Sequence, residues 1–384
     1  MAAIQGDCDS RFDGVRQAFE NNFVEGAELG AAVSVILDGR TVVDLWGGHT
    51  APDRARLWER DTLVNVWSTT KGVTALCAHM LADRGLLDLD APVSAYWPEF
   101  AAGGKQDIPV RHLLSHRAGL AGPREPTGVE ELFDWKLMTS RLAAMEPWWE
   151  PGTVSGYHAM SYGFLVGEVI RRIDGRSVGA FLREEVTGPL GVDFFIGLPE
   201  SEDHRVAELV HPPASGSSEQ AAVFAKMHPA AVAALANPPV GAAEANSLPW
   251  RRAELPAAGG HGTAGAVAQL YGIAASKGRF GDRKVLGESA VERIREGQGA
   301  CVDLVLGAGF GGETEIGLGC WLSGPRGSYG PNPRAFGHDG YGGSFGLADP
   351  EARLSIGYVM NRMGSQIADD PRKMALIDAV YAAL

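Results

Sequence analysis

The pattern that most constrains the fold is a pair of β-hairpin signals, one near each end of the chain. Residues 31–48, AAVSVILDGRTVVDLWGG, contain two β-branched runs on either side of an Asp-Gly pair, which is typical of tight hairpin turns. Residues 343–361, GSFGLADPEARLSIGYVMN, contain a short strand pattern, an Asp-Pro turn and a longer strand pattern. We expect the two hairpins to join in one antiparallel sheet built from both ends of the chain.

Helical periodicity fills much of the remaining chain. Apolar residues recur at helical spacing in an opening segment, 10–22, and in a closing segment, 370–384, which has a proline near its start. Four segments between the hairpins show the same spacing: 72–84, 110–116, 129–145 and 160–173. Residues 199–258 are instead rich in Ala, Pro, Ser and Gly, and we expect them to cover or shape a binding site.

These patterns predict an α/β protein of the α+β type, in which an antiparallel sheet is flanked by helices and accompanied by a mainly helical domain. We assign residues 1–71 and 255–384 to the sheet domain and residues 72–254 to the helical domain. A cleft between two such domains is a common place for a binding site. We therefore expect the active site at their junction.

The charge balance limits the classes of partner. The chain has 47 acidic and 34 basic residues, a formal net charge of −13, and a surface of that sign repels nucleic acid and anionic lipid. The four cysteines show no zinc-ligand spacing, and the N-terminus lacks the basic and apolar regions of a secretory signal. No apolar run approaches the roughly 20 residues that span a bilayer. We expect a cytoplasmic protein that acts on a small molecule without metal or cofactor and has no nucleic-acid or membrane partner, whether monomer or homo-oligomer.

Ser68 and Lys71 stand just before the apolar segment VTALCAHML. Residues three apart lie on the same face of a helix, so Lys71 Nζ can reach Ser68 Oγ. A helix N-terminus favours negative charge on the hydroxyl, and a desolvated lysine has a lowered pKa and can accept the proton. The alternative is an N-capping serine beside a surface lysine. We favour a nucleophile and its base, because a lysine at the mouth of a buried helix requires a reason.

Tyr157, at the end of the segment EPGTVSGY, is a candidate for the third catalytic group. A neighbouring ammonium would lower the pKa of its phenol, which could then exchange a proton with the serine. Considered alone, this residue is also compatible with a core aromatic whose hydroxyl is satisfied.

Five segments of the chain follow one another in a known order: STTK, HLLSHRAGL, EPGTVSGYHA, GHGTAGAVAQLYG and GHDGYGGSFGLADPE. This series resembles the serine β-lactamase and penicillin-recognising superfamily. Within it, the chain looks most like the family VIII carboxylesterases, which are related to class C β-lactamases. The resemblance runs from about residue 25 to the C-terminus. It implies a β-lactamase-like fold, which agrees with the prediction from hairpins and helices.

The resemblance also implies roles for individual residues. Ser68 would be the acylated nucleophile, Lys71 would activate it, and Tyr157 would act as general base in acylation and as acid toward the leaving alcohol. The backbone N–H groups of Ser68 and Tyr341 would form the oxyanion hole. Three further residues fall in motifs that bind substrate in the family: His158, His338 and Gly340.

Two motifs depart from the class C pattern. The tyrosine motif reads Tyr-His-Ala rather than Tyr-x-Asn, and the third motif reads His-Asp-Gly rather than Lys-Thr-Gly. The first change removes an amide that contacts the β-lactam side chain, and the second replaces an ammonium by the mostly neutral imidazole of His338 beside Asp339. Both changes weaken the recognition of anions and amides and favour a carboxylesterase that acts on small neutral esters. The resemblance to the family further implies a preference for short to medium acyl chains. The alternatives are a β-lactamase, D-peptidase or acyltransferase of the same superfamily, and a non-catalytic ligand-binding relative.

Three other patterns have competing interpretations. The segment GGSFG around Ser344 matches the Gly-x-Ser-x-Gly elbow of α/β hydrolases, but that elbow requires a following helix and the sequence predicts a turn and a strand. His112 and His116 have the spacing of two zinc ligands on a helix, but no third ligand is evident, and we interpret them as structural. His338 either lines the pocket and binds substrate or holds Asp339 in place.

Overall fold

A seven-stranded antiparallel sheet joins the two ends of the chain. The computed structural model describes residues 3–211, 227–307, 312–324 and 327–384. In spatial order the strands of the sheet are Ile4–Cys8, Arg40–Gly48, Gly30–Leu37, Leu354–Met360, Phe345–Asp349, Phe336–Asp339 and Trp321–Leu322. The two hairpins meet where Ser34 lies opposite Gly357. Both predicted hairpins, and their union in one sheet, are confirmed.

Helices cover both faces of this sheet. Asp13–Val24 and Pro371–Ala382 pack together on one face, over fully buried strand residues such as Val35 and Ile356. Ala264–Ala275 packs on the other face. A side chain at position 357 would lie 2.3 Å from the backbone oxygen of Ala264, so the glycine there allows this helix to lie directly on the sheet.

The middle of the chain is mainly helical. Its central helix, Thr70–Asp83, is buried on nearly every side and packs against Ser161–Asp174. In the described part of the chain, the other α-helices outside the sheet layers are Val110–Leu114, Trp135–Ala144, Val178–Leu182, Gly188–Leu190, Pro229–Leu235, Ala242–Ala245, Leu248–Arg252 and Glu288–Ile294. The predicted helical segments are therefore confirmed, with ends that differ by a few residues, except that segment 129–145 is divided. Its first part is the 3-10 helix Glu130–Phe133, and its second part is the α-helix Trp135–Ala144.

Small sheets complete the architecture. One has the strand order Val64–Asn65, Gly260–Gly262 and Phe194–Ile196, and it leads directly into the turn that precedes the central helix. Two-stranded pairs form between Arg279–Phe280 and Arg283–Lys284, and between Cys301–Val302 and Glu313–Thr314. Within the described ranges, every helix is too short or too polar to cross a bilayer.

Candidate active site

Ser68 sits in the turn that begins the central helix. The turn, Trp67–Thr69, is a short 3-10 helix that continues into Thr70–Asp83. Trp67 has a φ of 47°, a left-handed conformation that bulky side chains rarely adopt, and its N–H donates to Asn65 Oδ1 at 3.1 Å. The residues on either side of Ser68 are buried, whereas Ser68 is only half-buried. The turn therefore leaves the serine side chain accessible.

Lys71 Nζ makes three short polar contacts. It lies 3.0 Å from Ser68 Oγ, 2.8 Å from the carbonyl oxygen of Ala159 and 3.0 Å from that of Ala257. The side chain is fully buried, and burial holds the pKa of Lys71 well below its usual range. A neutral amine has two N–H groups and one lone pair. Because carbonyl oxygens only accept, they take the two N–H groups and leave the lone pair facing the serine hydroxyl.

Tyr157 brings a phenol to Ser68 from a distant loop. Its side chain interacts with Ser68 and lines the same cavity, and Lys71 Nζ lies 4.8 Å from the centroid of its ring. Burial raises the pKa of Tyr157 above its usual range, and the interaction with Ser68 opposes this shift only in part. The expectation of a lowered phenol pKa is wrong, because burial dominates and the neighbouring lysine is itself driven toward its neutral form. At rest the phenol is therefore protonated.

A buried carboxylate fixes the backbone of Tyr157. Asp303 Oδ1 accepts hydrogen bonds from the N–H groups of Tyr157 at 3.0 Å, Val305 at 2.9 Å and Leu306 at 2.9 Å. On another side, the ring of His116 lies 4.9 Å from that of Tyr157, centroid to centroid. Asp303 is thus a site residue that the sequence did not reveal, since it lies 146 residues from the tyrosine.

The loop of the third motif packs against the serine turn. The ring of Tyr341 meets that of Trp67 edge-on, with 5.6 Å between centroids. A side chain at Gly340 would lie 2.2 Å from the carbonyl oxygen of Val66, so only glycine lets the loop approach this closely. The structure therefore brings Gly340 and Tyr341 beside the residues that precede Ser68.

His338 and Asp339 have different partners. His338 Nδ1 donates to the backbone oxygen of Asp339 at 2.8 Å, and burial lowers the pKa of His338 to about 3, so the imidazole is neutral. The carboxylate of Asp339 is held by Lys373, whose Nζ lies 2.8 Å from it. The lysine, rather than the imidazole ring, holds the Asp339 carboxylate, which favours the interpretation in which His338 lines the pocket.

These groups open into a cavity of about 490 Å³, a volume suited to a small organic ligand. Ser68, Tyr157, His338 and Tyr341 line one part of it. The remaining wall is largely apolar and includes Ala159, Met160, Leu235, Val240, Leu306 and Ile367. Residues within the 199–258 segment thus help to shape the pocket, and residues 212–226 of that segment lie outside the described residues.

Comparison with known proteins identifies the family. The model of the Beta-lactamase family matches residues 15–380. The chain belongs to the beta-lactamase family. The curated relative Esterase/beta-lactamase LipL of Mycobacterium tuberculosis is 35% identical over 379 residues, which cover 95% of this chain and 84% of the relative. Two solved structures match over 100% of both chains: a family VIII carboxylesterase, with a TM-score of 0.93 and 44% identity, and a penicillin-binding protein homologue from Caulobacter crescentus, with a TM-score of 0.92 and 42% identity.

Membership of the beta-lactamase family confirms the resemblance stated from the five sequence segments. The predicted fold class, a β-lactamase-like arrangement of an antiparallel sheet with helices, is also confirmed. The protein is a serine hydrolase of this family. The domain boundaries predicted at residues 71–72 and 254–255 stay predictions.

Two predicted substrate-binding residues of this beta-lactamase family member, His158 and Gly340, do not line the cavity. His158 is fully buried, its Nε2 accepts from the N–H of Leu120 at 3.0 Å, and its Nδ1 donates to the backbone oxygen of Gly156 at 2.6 Å. Both ring nitrogens are therefore occupied by backbone groups, and the residue does not line the cavity. The structure gives His158 a place in the support of the tyrosine loop instead of one beside the substrate.

The competing motifs also have structural explanations. Ser344 is buried, its Oγ donates to the backbone oxygen of Val66 at 2.8 Å, and the strand Phe345–Asp349 follows it. The α/β-hydrolase elbow is therefore wrong for this segment. His116 Nδ1 accepts the N–H of His158 at 3.1 Å. Within the described residues, no group of three or more His, Cys, Asp or Glu side chains is arranged to hold a metal ion.

Proposed function

We propose that this protein is a serine carboxylesterase that hydrolyses small, uncharged carboxylic esters through an acyl-enzyme on Ser68. The observation that carries the proposal is the position of Ser68 at the wall of a largely apolar cavity, which Tyr157 also lines. The Ser68 hydroxyl lies 3.0 Å from the buried amine of Lys71, whose pKa burial lowers. The names of its relatives, an esterase/beta-lactamase and a family VIII carboxylesterase, support ester hydrolysis.

Acylation begins when Ser68 Oγ attacks the ester carbonyl carbon. Because the raised pKa of Tyr157 keeps its phenol protonated, the general base is Lys71 rather than the tyrosine that the resemblance implies. The serine proton moves to the lone pair of Lys71, 3.0 Å away, while the carbonyl oxygen becomes an oxyanion. The proposed donors to this oxyanion are the backbone N–H groups of Ser68 and Tyr341, and one such donor typically contributes on the order of 100-fold or more in rate. When the intermediate collapses, the bond to the leaving alcohol breaks and Tyr157 donates its proton to that oxygen.

Deacylation returns the catalytic groups to their initial state. The Lys71 ammonium formed in acylation transfers its proton to the phenolate of Tyr157, so the amine and the phenol are again neutral. Water then attacks the acyl carbon and transfers a proton to Lys71, and the bond to Ser68 Oγ breaks. The serine oxygen takes the proton from Lys71 and the carboxylic acid leaves. All protons and bonds are then accounted for by the ester, water and the three side chains.

The cavity favours an ester over a β-lactam. His338 occupies the position of the family's ammonium, and its burial keeps the imidazole neutral with a pKa of about 3, so it cannot hold a substrate carboxylate by charge. Ala159 replaces the family's asparagine, and its backbone oxygen is occupied by Lys71. The apolar wall suits a short to medium acyl chain.

The test compares Ser68→Ala with Ser344→Ala on p-nitrophenyl butyrate. We expect the first variant to lose about 1,000-fold or more in kcat, and the second to retain most activity because Ser344 bonds only to protein groups. Unchanged turnover by Ser68→Ala, or an inactive Ser344→Ala beside an active Ser68→Ala, would contradict the proposal. Faster turnover of nitrocefin than of the ester at equal enzyme would favour the β-lactamase alternative.

A further inference from the structure

A second buried lysine lies behind the cavity wall, outside the catalytic group. Lys373 is 1% exposed and belongs to the first turn of the closing helix. Its Nζ lies 2.8 Å from the Asp339 carboxylate, 3.4 Å from Asp369 Oδ1 and 4.1 Å from the centroid of the Tyr329 ring. Asp339, Asp369 and Tyr329 all line the cavity. One ammonium therefore contacts three separate segments of its wall.

The adjacent residue binds the loop of the third motif. Arg372 Nη2 donates to the backbone oxygen of Gly342 at 2.6 Å, and the N–H of Gly364 donates to the same oxygen at 2.7 Å. Two consecutive cations at the start of the closing helix thus reach the strand and the loop that carry His338 and Tyr341. The side of the cavity proposed for the oxyanion is supported from this helix.

Fold stability alone is a weak reason for the Lys373–Asp339 pair. Removing two charges from water is costly, and well-packed apolar residues in place of a buried pair are often as stable or more so. The side chains of Lys373 and Asp339 are only 1% and 7% exposed. A buried ion pair at the wall of a reaction cavity is better explained by the electrostatic effect of its charges on the reacting groups.

The negative charge of Asp339 reaches the reacting groups. Asp339 lines the same cavity as Ser68, and its charge contributes to the raised pKa of Tyr157. An uncompensated carboxylate in a poorly solvated cavity would also oppose the negative charge that forms on the substrate oxygen. The ammonium of Lys373, in direct contact with the carboxylate, opposes this field.

We propose that Lys373 is a positioning residue that neutralises Asp339 and so reduces the negative charge that the cavity wall presents to the oxyanion. This role rests on the esterase function proposed above. It is a role in turnover, exercised through Asp339, and Lys373 itself does not touch the substrate.

The experiment uses three variants of the full chain: Lys373→Met, Asp339→Asn and the double variant. Each is assayed for kcat and KM with p-nitrophenyl butyrate, and thermal unfolding is recorded in parallel. We expect Lys373→Met to lose roughly 10- to 100-fold in kcat with KM within about threefold, because one uncompensated charge acts on the transition state. The double variant, which has neither charge, should return to within about fivefold of the wild-type kcat.

The double variant separates an electrostatic role from a structural one. If Lys373 served only to hold the wall together, removing Asp339 as well would not restore kcat, and that result would overturn the proposal. Lys373→Met with wild-type kcat would overturn it too. Asp339→Asn keeps the lysine and removes the anion, so it should stay within about fivefold of the wild type. If Lys373→Met fails to fold, the Asp339→Asn variant provides the test. A large loss of kcat in Asp339→Asn would contradict the proposal.

The same assay distinguishes this inference from the proposed function. A wild-type chain that does not hydrolyse the ester refutes the esterase, and the role of Lys373 falls with it. An active wild type without rescue in the double variant refutes only the role of Lys373.

Discussion

Replacement of Lys71 tests whether its lone pair or its positive charge drives acylation. Methionine removes the amine at nearly equal length, whereas arginine keeps a permanent positive charge and offers no lone pair. In Lys71→Met, the carbonyl oxygens of Ala159 and Ala257 lose their hydrogen-bond donor. Each unsatisfied oxygen lowers the free energy of unfolding by about 1–3 kcal/mol. The substitution also removes the cost of burying an amine that is fully shielded from water. Because these effects oppose each other, we expect a modest change in the free energy of unfolding.

The effect of the same substitution on the rate should be far larger. General acid–base catalysis typically contributes about 100- to 10,000-fold, which corresponds to about 3–5 kcal/mol in the activation barrier. We therefore expect Lys71→Met to lose at least that factor in kcat/KM for p-nitrophenyl butyrate. Lys71→Arg should be equally impaired, since a guanidinium cannot accept the serine proton.

Steady-state kinetics and thermal unfolding of the wild type and both variants provide the measurement. Wild-type activity requires unprotonated Lys71, so it should fall on the acid side as the amine takes up a proton. Because burial lowers the pKa of Lys71 well below its usual range, this fall should occur far below pH 10. If folded Lys71→Arg keeps more than about a tenth of the wild-type kcat/KM, a positive charge at this position is sufficient for acylation. That result would refute a role for the lone pair as proton acceptor.

Two further predictions concern the support of the site. Asp303→Asn retains an oxygen that can accept the Tyr157 N–H, whereas Asp303→Ala leaves three N–H groups without their acceptor. The alanine variant should therefore lose at least about 3 kcal/mol in the free energy of unfolding and most of its kcat. Urea titrations and kinetics that give the same values for both variants would contradict this. The protein should also lose stability in weak acid, because burial lowers the pKa of His79, His158 and His261 to about 4 and of His338 to about 3. Unfolded imidazoles bind protons below pH about 6.5 that the folded ones do not, so the free energy of unfolding should fall between pH about 6.5 and 4, by up to about 1.4 kcal/mol per pH unit for each histidine. Urea titrations that give equal free energies of unfolding at pH 7 and pH 5 would refute this prediction.

Local patterns predicted much of the fold. The hairpins were evident because each combines β-branched runs with a turn, and their pairing follows from the need of short strands to complete a sheet. The edge strand Ile4–Cys8 was missed because IQGDC has a single β-branched residue and contains Gly and Asp, which are depleted in strands. The helix Ala264–Ala275 was missed because nearly all of it is buried, so it lacks the polar face on which helical periodicity depends.

The site was predictable where its residues are close in sequence. Ser68 and Lys71 are three apart, so helical geometry alone predicted their contact. Tyr157 required the resemblance to a family, since no spacing connects it to the serine. Asp303 and Lys373 act through long-range contacts that a single sequence does not encode in any local pattern. The pKa of Tyr157 was misjudged because its direction depends on burial, which only the three-dimensional structure defines.

A covalent phosphonyl adduct on Ser68 is the most direct test of the central claim. The wild-type chain is incubated with a fluorophosphonate probe, and the adduct is located by intact-protein mass spectrometry and peptide mapping. We expect one adduct on the peptide that contains Ser68, no adduct in Ser68→Ala, and much slower labelling in Lys71→Met. A wild-type chain that stays unlabelled, or an adduct on the peptide that contains Ser344, would contradict the account.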